Sequence, residues 1–254
     1  MSLVSTEWLE KHHSKVKIID SSWHMPNTNR NAYEEYKKDH IKNAIFFDID
    51  KFSNKKTDLP HMLPDKNQWR KIISNLGIKN KDRIIVYDSS DVISSCRCWY
   101  TFIFFGHDPK LISVLDGGFI KWKKENRKTT KLNSKIIKKN YKAKTIKKLV
   151  KNKKEIKENI KKKNFVVVDA RSKNRFLGLQ PEPREGLKSG NIKGSKNIPF
   201  TELINSDNTF KNKKELIDIF QKNKVDPNKK VAFTCGSGLT ACILGLTNSI
   251  ISDR

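Results

Sequence analysis

The seven residues Cys235-Gly236-Ser237-Gly238-Leu239-Thr240-Ala241 are the stretch of this chain best suited to covalent chemistry. They follow a β-branched run, Lys230 to Thr234, and precede an apolar segment with helical spacing expected over Thr240 to Asn248. A thiol attacks as its thiolate, and a free cysteine with pKa ~8.5 is only about 3% ionised at pH 7. Gly236 and Gly238 let the backbone wrap so that N–H groups face the sulfur. The following helix would aim the positive end of its dipole at the same point. Both effects favour a charged sulfur. The same bend, Gly236, Gly238, Leu239 and Thr240 included, could hold an added sulfur atom or the anionic group of a substrate. The bland alternative is a small buried Cys ending a strand, with Gly-Ser-Gly as a plain turn.

The other three cysteines, Cys96, Cys98 and Cys242, are expected to be structural. Four cysteines are too few to staple a chain of 254 residues. Cys96-x-Cys98 lacks zinc-ribbon spacing, and no second pair completes a site. Free thiols point to a reducing compartment. Two loop-based rivals fail on composition. A Cys-based phosphatase loop is one residue longer and ends in Arg, where this chain has Leu239, Thr240 and Ala241. A nucleotide P-loop needs Gly-Lys-Ser/Thr after its glycines, and none follows here.

The elements that must position Cys235 come from a weak internal repeat. Val16 to Asp20 and Phe165 to Asp169 are apolar runs that end in Asp. The segments His40-Ile41-Lys42-Asn43-Ala44 and Asn191-Ile192-Lys193-Gly194-Ser195 follow at 20 and 22 residues. Amphipathic stretches come next, marked by Trp69, Ile72, Ile73 and Leu76 in one copy and Leu216, Ile219 and Phe220 in the other. Each leads into a strand, Arg83 to Tyr87 or Lys230 to Thr234. The next residue is Asp88 in the first copy and Cys235 in the second. Strands alternating with helices predict two α/β domains, each a mainly parallel sheet covered by helices. Their bounds are expected at residues 1–127 and 164–254, joined by a lysine-rich linker over 128–163. That linker carries 16 Lys against 2 Glu and reads as solvated, with a flexible start and a basic helix after Ile146. The second copy has only 19 residues after Cys235, so a strand and a helix of the first copy have no partner in it. The expectation is a sheet short by one strand at the C-terminus, or a truncated form of something longer.

These features together resemble the rhodanese superfamily of sulfurtransferases. The resemblance rests on the tandem halves, Asp169-Ala170-Arg171, the Cys235 loop, Phe47-Asp48-Ile49-Asp50, His61-Met62-Leu63-Pro64, Leu115-Asp116-Gly117-Gly118 and Glu182-Pro183-Arg184. Within the family, Cys-Gly-Ser-Gly-x-Thr-Ala is similar to the 3-mercaptopyruvate sulfurtransferases. Thiosulfate-preferring members carry two cations where this chain has neutral Gly236 and Ser237. The resemblance implies that Cys235 becomes a persulfide, that Arg175 and Arg184 hold the donor's carboxylate and carbonyl, and that Ser237, His61 and Asp50 form a proton relay. A planar guanidinium fork suits a carboxylate. It also implies that the site lies between the domains, and that the first copy is catalytically inert because Asp88 stands in the Cys position. No metal or organic cofactor is expected. The partners implied are a small sulfur donor and a thiol acceptor such as thioredoxin, or cyanide.

Charge and hydropathy bound the remaining possibilities. The net charge is +26, but of 53 cations 9 are Arg and 44 Lys. Nucleic-acid sites favour Arg for bidentate contacts, so a solvated basic surface is expected over a dedicated nucleic-acid groove. RNA binding through the linker is the rival reading, and it would show steep salt dependence. No apolar run approaches the ~18–20 residues that span a bilayer, and Met1 to Leu9 carries no export pattern. The expectation is a cytoplasmic protein with no membrane partner.

Overall fold

The computed structural model describes residues 2–183 and 187–252. The chain forms two compact units, Met1–Ile146 with Ser206–Thr209, and Lys147–Asn205 with Phe210–Arg254.

The first unit runs β1 (Leu3–Val4), α1 (Thr6–His12), β2 (Lys17–Asp20), α2 (Ala32–Lys38), β3 (His40–Ile41), β4 (Ala44–Phe46), α3 (Ile49–Phe52), α4 (Lys66–Asn75), β5 (Ile84–Tyr87), α5 (Ser95–Phe104), β6 (Ile112–Leu115), α6 (Gly118–Lys124) and β7 (Thr129–Thr130). Its sheet has the order β1-β6-β5-β2-β4 with every pair parallel. Ile84, Ile85, Val86 and Tyr87 of β5 are all fully buried, as a central strand covered on both faces must be. Trp69 of α4 is also fully buried; it stacks on Phe105 at 4.9 Å and meets Phe102 edge-on at 5.0 Å. Strands β3 and β7 pair antiparallel as a small separate ribbon.

The second unit contains α7 (Lys153–Lys162), β8 (Val166–Asp169), α8 (Lys173–Leu177), β9 (Lys196–Asn197), α9 (Lys213–Lys222), β10 (Val231–Thr234) and α10 (Ala241–Ile251). Helices α7 and α9 both start on a capping box, Asn152 with Glu155 and Asn212 with Glu215. The sheet is parallel, in the order β10-β8-β9. Among the described residues it has no counterparts of β6 and β1. All four residues of β10 are consequently half-buried, where those of β5 are sealed.

Strand register carries the internal repeat into three dimensions. Asp20 is paired with Tyr87 in the first sheet, and Asp169 with Thr234 in the second. Asp88 and Cys235 therefore occupy the same place, one residue beyond the partner of the strand-ending Asp.

The lysine-rich stretch does not form a free linker. Residues 128–146 lie with the first unit and 147–163 with the second. The segment expected to be flexible is an extended strap pinned to the first unit. Lys139 N–H donates to Ser74 O, Lys144 N–H to Phe105 O and Ile146 N–H to Phe104 O, each at 2.9 Å. Tyr141 is wholly buried. The strap passes so close to Gly77 and Gly106 that a Cβ there would lie 2.7 Å from Ile137 O and 2.9 Å from Lys144 O. The physical reason is that Tyr141 brings its own burial among cationic neighbours, and one aromatic anchor outweighs the solvation of the flanking lysines.

Candidate active site

Strand β10 delivers Cys235 to the C-terminal edge of its sheet, where open parallel sheets place their ligands. The chain then bends through Gly238, at φ +82°, before entering α10. That bend turns Gly238 N–H onto Cys235 Sγ, at 3.0 Å. The thiol is partly exposed, whereas Cys96, Cys98 and Cys242 are buried. Burial pushes the Cys98 thiol far up, which leaves it protonated and inert. Cys242, the second residue of α10, donates its S–H to Gly238 O at 3.2 Å and so braces the bend. Leu239 is buried and anchors the loop, while Gly236 is exposed and Ser237 and Thr240 are half-buried.

Arg175 of α8 reaches this loop. A Cβ built on Gly236 would stand 3.0 Å from Arg175 Nη2, so the guanidinium lies against the peptide that follows the thiol. Arg175 also belongs to a chain of alternating charges. Asp169 receives Arg171 Nη2–H at 2.6 Å, and Arg171 Nη1–H donates to Glu182 Oε1 at 2.6 Å. Glu182 Oε2 receives Arg175 Nη2–H at 2.5 Å. The hydrogen bond from Arg175, with that from Arg171 behind it, holds the Glu182 carboxyl below its ordinary range against the opposing effect of burial. The second expected anchor, Arg184, lies outside the described residues.

The first unit shows what became of the equivalent bend. Asp88 Oδ1 accepts Ser90 N–H and Ser90 Oγ–H at 2.9 Å each, and Oδ2 accepts Ser95 N–H at 2.8 Å. Where the Gly238 amide faces sulfur in one copy, the amides of Ser90 and Ser95 here serve a resident carboxylate. Burial pushes that carboxyl above its usual value despite those bonds.

His61 and Asp50 meet within the first unit. His61 Nε2 lies 3.0 Å from Asp50 Oδ1, and Asp50 Oδ2 accepts Trp23 Nε1–H at 2.8 Å. The His61 contact is the main cause of a lowered Asp50 carboxyl. The His61 side chain is only 2% exposed, and its buried Nδ1 has no partner among the described residues. An Nε2–H given to Asp50 leaves Nδ1 as the acceptor in the neutral ring. Its backbone is left-handed at φ +55°, and Arg97 donates to its carbonyl. Sequence reasoning gave no role to Trp23 or Glu182. A Trp three residues beyond a strand-ending Asp, and a Glu seven residues after an Arg, are too common to be read without coordinates.

Comparison with known proteins now fits these observations. The Rhodanese-like domain profile matches residues 5–125 and 152–249. The chain belongs to the rhodanese-like family. It is 38% identical to rat 3-mercaptopyruvate sulfurtransferase over 249 residues, covering 95% of this chain and 83% of the relative. It is also 38% identical to rat thiosulfate sulfurtransferase over 254 residues, covering 96% and 84%. The crystal structure of the 3-mercaptopyruvate sulfotransferase SseA from Escherichia coli matches with a TM-score of 0.86 and 28% identity, over 99% of this chain and 94% of that one. The expected α/β fold with two parallel-sheet domains is thus borne out. No helix of the described residues is long and apolar enough to cross a membrane.

Proposed function

We propose that this sulfurtransferase loads Cys235 as a persulfide, with 3-mercaptopyruvate favoured over thiosulfate as donor. The observation that carries the reading is a partly exposed thiol receiving the Gly238 amide in a tight bend, with the Arg175 guanidinium against the adjoining peptide. Equal identity to relatives named for either donor leaves the choice to local chemistry. The two residues after Cys235 are neutral, so a thiosulfate dianion finds little compensation there. A monoanionic donor whose carboxylate meets one Arg is the better match.

The reaction is ping-pong. The Cys235 thiolate attacks the donor sulfur. The donor C–S bond breaks, and its electron pair stays on carbon as the enolate of pyruvate. The proton released from the donor thiol returns to that carbon, so pyruvate leaves and Cys235 keeps one extra sulfur. An acceptor thiolate such as that of thioredoxin, or cyanide, then attacks the terminal sulfur and restores the cysteine thiolate. Arg175 and Arg184 are assigned to the donor's carboxylate and carbonyl, and Gly236, Gly238, Leu239 and Thr240 to the cradle around the transferred sulfur. Proton delivery is assigned to Ser237, His61 and Asp50, on the resemblance together with the His61–Asp50 contact. The first copy is assigned no turnover, since Asp88 already satisfies its bend. The four cysteines form no disulfide among the described residues, which suits a reducing compartment such as the cytoplasm.

Intact-mass analysis after adding 3-mercaptopyruvate tests the assignment. The expected gain is one sulfur, about 32 Da, on the Cys235 peptide, with no gain in Cys235→Ser. His61→Ala should slow pyruvate release about tenfold or more and leave loading by thiosulfate, which makes no enolate, little changed. A gain on another cysteine, or turnover by Cys235→Ser, refutes the nucleophile.

A further inference from the structure

We propose that Glu182 is a positioning residue for the donor's carboxylate, acting through Arg175. The inference rests on the reading of Arg175 as the carboxylate anchor and names what aims it. Arg175 is gripped along one edge only. Its Nε–H donates to Glu182 Oε1 at 3.1 Å and its Nη2–H to Oε2 at 2.5 Å. Nη1 has no hydrogen-bond partner among the described residues. The side-on grip therefore leaves the other edge of the fork uncommitted, while Nη2 lies against Gly236 beside the thiol. An arginine with one edge fixed can still bind a carboxylate through its other.

The grip is itself held rigidly. The Glu182 side chain is 4% exposed, and its Oε1 also accepts Arg171 Nη1–H at 2.6 Å. Arg171 is fastened in turn to both Asp169 oxygens and to Gly190 O at 2.7 Å. The chain Asp169–Arg171–Glu182–Arg175 alternates in sign and starts at the end of β8. It transmits the position of the sheet to a guanidinium that a short helix would otherwise leave free to swing. Without the Glu182 charge, Arg171 and Arg175 would be two cations sharing one acceptor, and Arg175 is the more exposed of the two, at 22% against 11%.

The test compares alkylation of Cys235 by iodoacetate and by neutral iodoacetamide, read on the Cys235 peptide, in the full-length protein. Wild type should show a higher acetate-to-amide rate ratio than free cysteine. Glu182→Gln should lower that ratio about fivefold, although it removes a negative charge from the neighbourhood of an anion's path. With 3-mercaptopyruvate, the same variant should raise KM about tenfold with kcat within twofold. The double variant Arg175→Gln/Glu182→Gln should behave as Arg175→Gln alone, because the carboxylate acts only through the arginine. A ratio that rises in Glu182→Gln overturns the proposal and makes Glu182 a competitor of the donor. Additive effects in the double variant overturn it too. A protein that never turns over 3-mercaptopyruvate but shows the predicted alkylation ratios refutes the donor and leaves the positioning role standing.

Discussion

Asp20 and Asp169 end equivalent strands and meet opposite electrostatic surroundings. Asp169 has Arg171 against it. Asp20 has Ser22 in place of that arginine and receives Ser22 N–H at 2.9 Å and Ser22 Oγ–H at 2.6 Å. Burial then dominates and pushes the Asp20 carboxyl up to about 6, the hydrogen bonds from Ser22 only partly opposing it. A carboxyl raised in the folded state binds its proton more tightly there than in the unfolded chain. Its contribution is therefore fully present below about pH 4 and is lost as pH rises through about 6. A carboxyl raised from its usual value to about 6 corresponds to about 3 kcal/mol. Urea midpoints of wild type and Asp20→Asn should diverge by that order between pH 4 and pH 7, with the variant gaining relative stability as pH rises. A constant difference across that range would refute the assignment. At this scale the sequence announced the nucleophile and little of its setting. Cys235 could be read because glycines on both sides of Ser237 between a strand and a helix are a rare combination. The Glu182 bridge could not, because an ion pair formed across a loop leaves no periodic trace.

Elements were legible where one face is apolar and the ends carry caps. Helix α4 falls on the spacing of Trp69, Ile72, Ile73 and Leu76, and Asp65 caps it by accepting Asn67 N–H and Gln68 N–H. β5 and β10 fall one residue inside the runs that foretold them. Strand β1, only Leu3 and Val4, was invisible because two residues carry no alternation. The strap is the instructive miss, since its lysines mask a single tyrosine. Tyr141 lies edge-on to Phe102 at 6.4 Å and stacks on His107 at 6.1 Å. Tyr141→Ala should cost about 3–5 kcal/mol, the usual loss for a large buried aromatic side chain. Chemical denaturation followed by tryptophan fluorescence measures it, since Trp69 lies in the same core. A change below about 0.5 kcal/mol would restore the picture of a solvated tether.

Across the whole molecule, the two copies have diverged in both chemistry and enclosure. The sealed first sheet surrounds its central strand with neighbours on both flanks, and the bend above that strand is quenched by Asp88. The reactive bend instead stands on β10, which is joined to β8 on one side only among the described residues. Peptide N–H groups along its other flank have no strand partner among the described residues. In heavy water they should acquire deuterium orders of magnitude sooner than those of Ile84–Tyr87, and residue-resolved mass spectrometry or NMR would record the contrast. The sulfur-handling half would then be the first part of the protein to breathe, and its reactivity would be carried on the less guarded of two otherwise matching foundations.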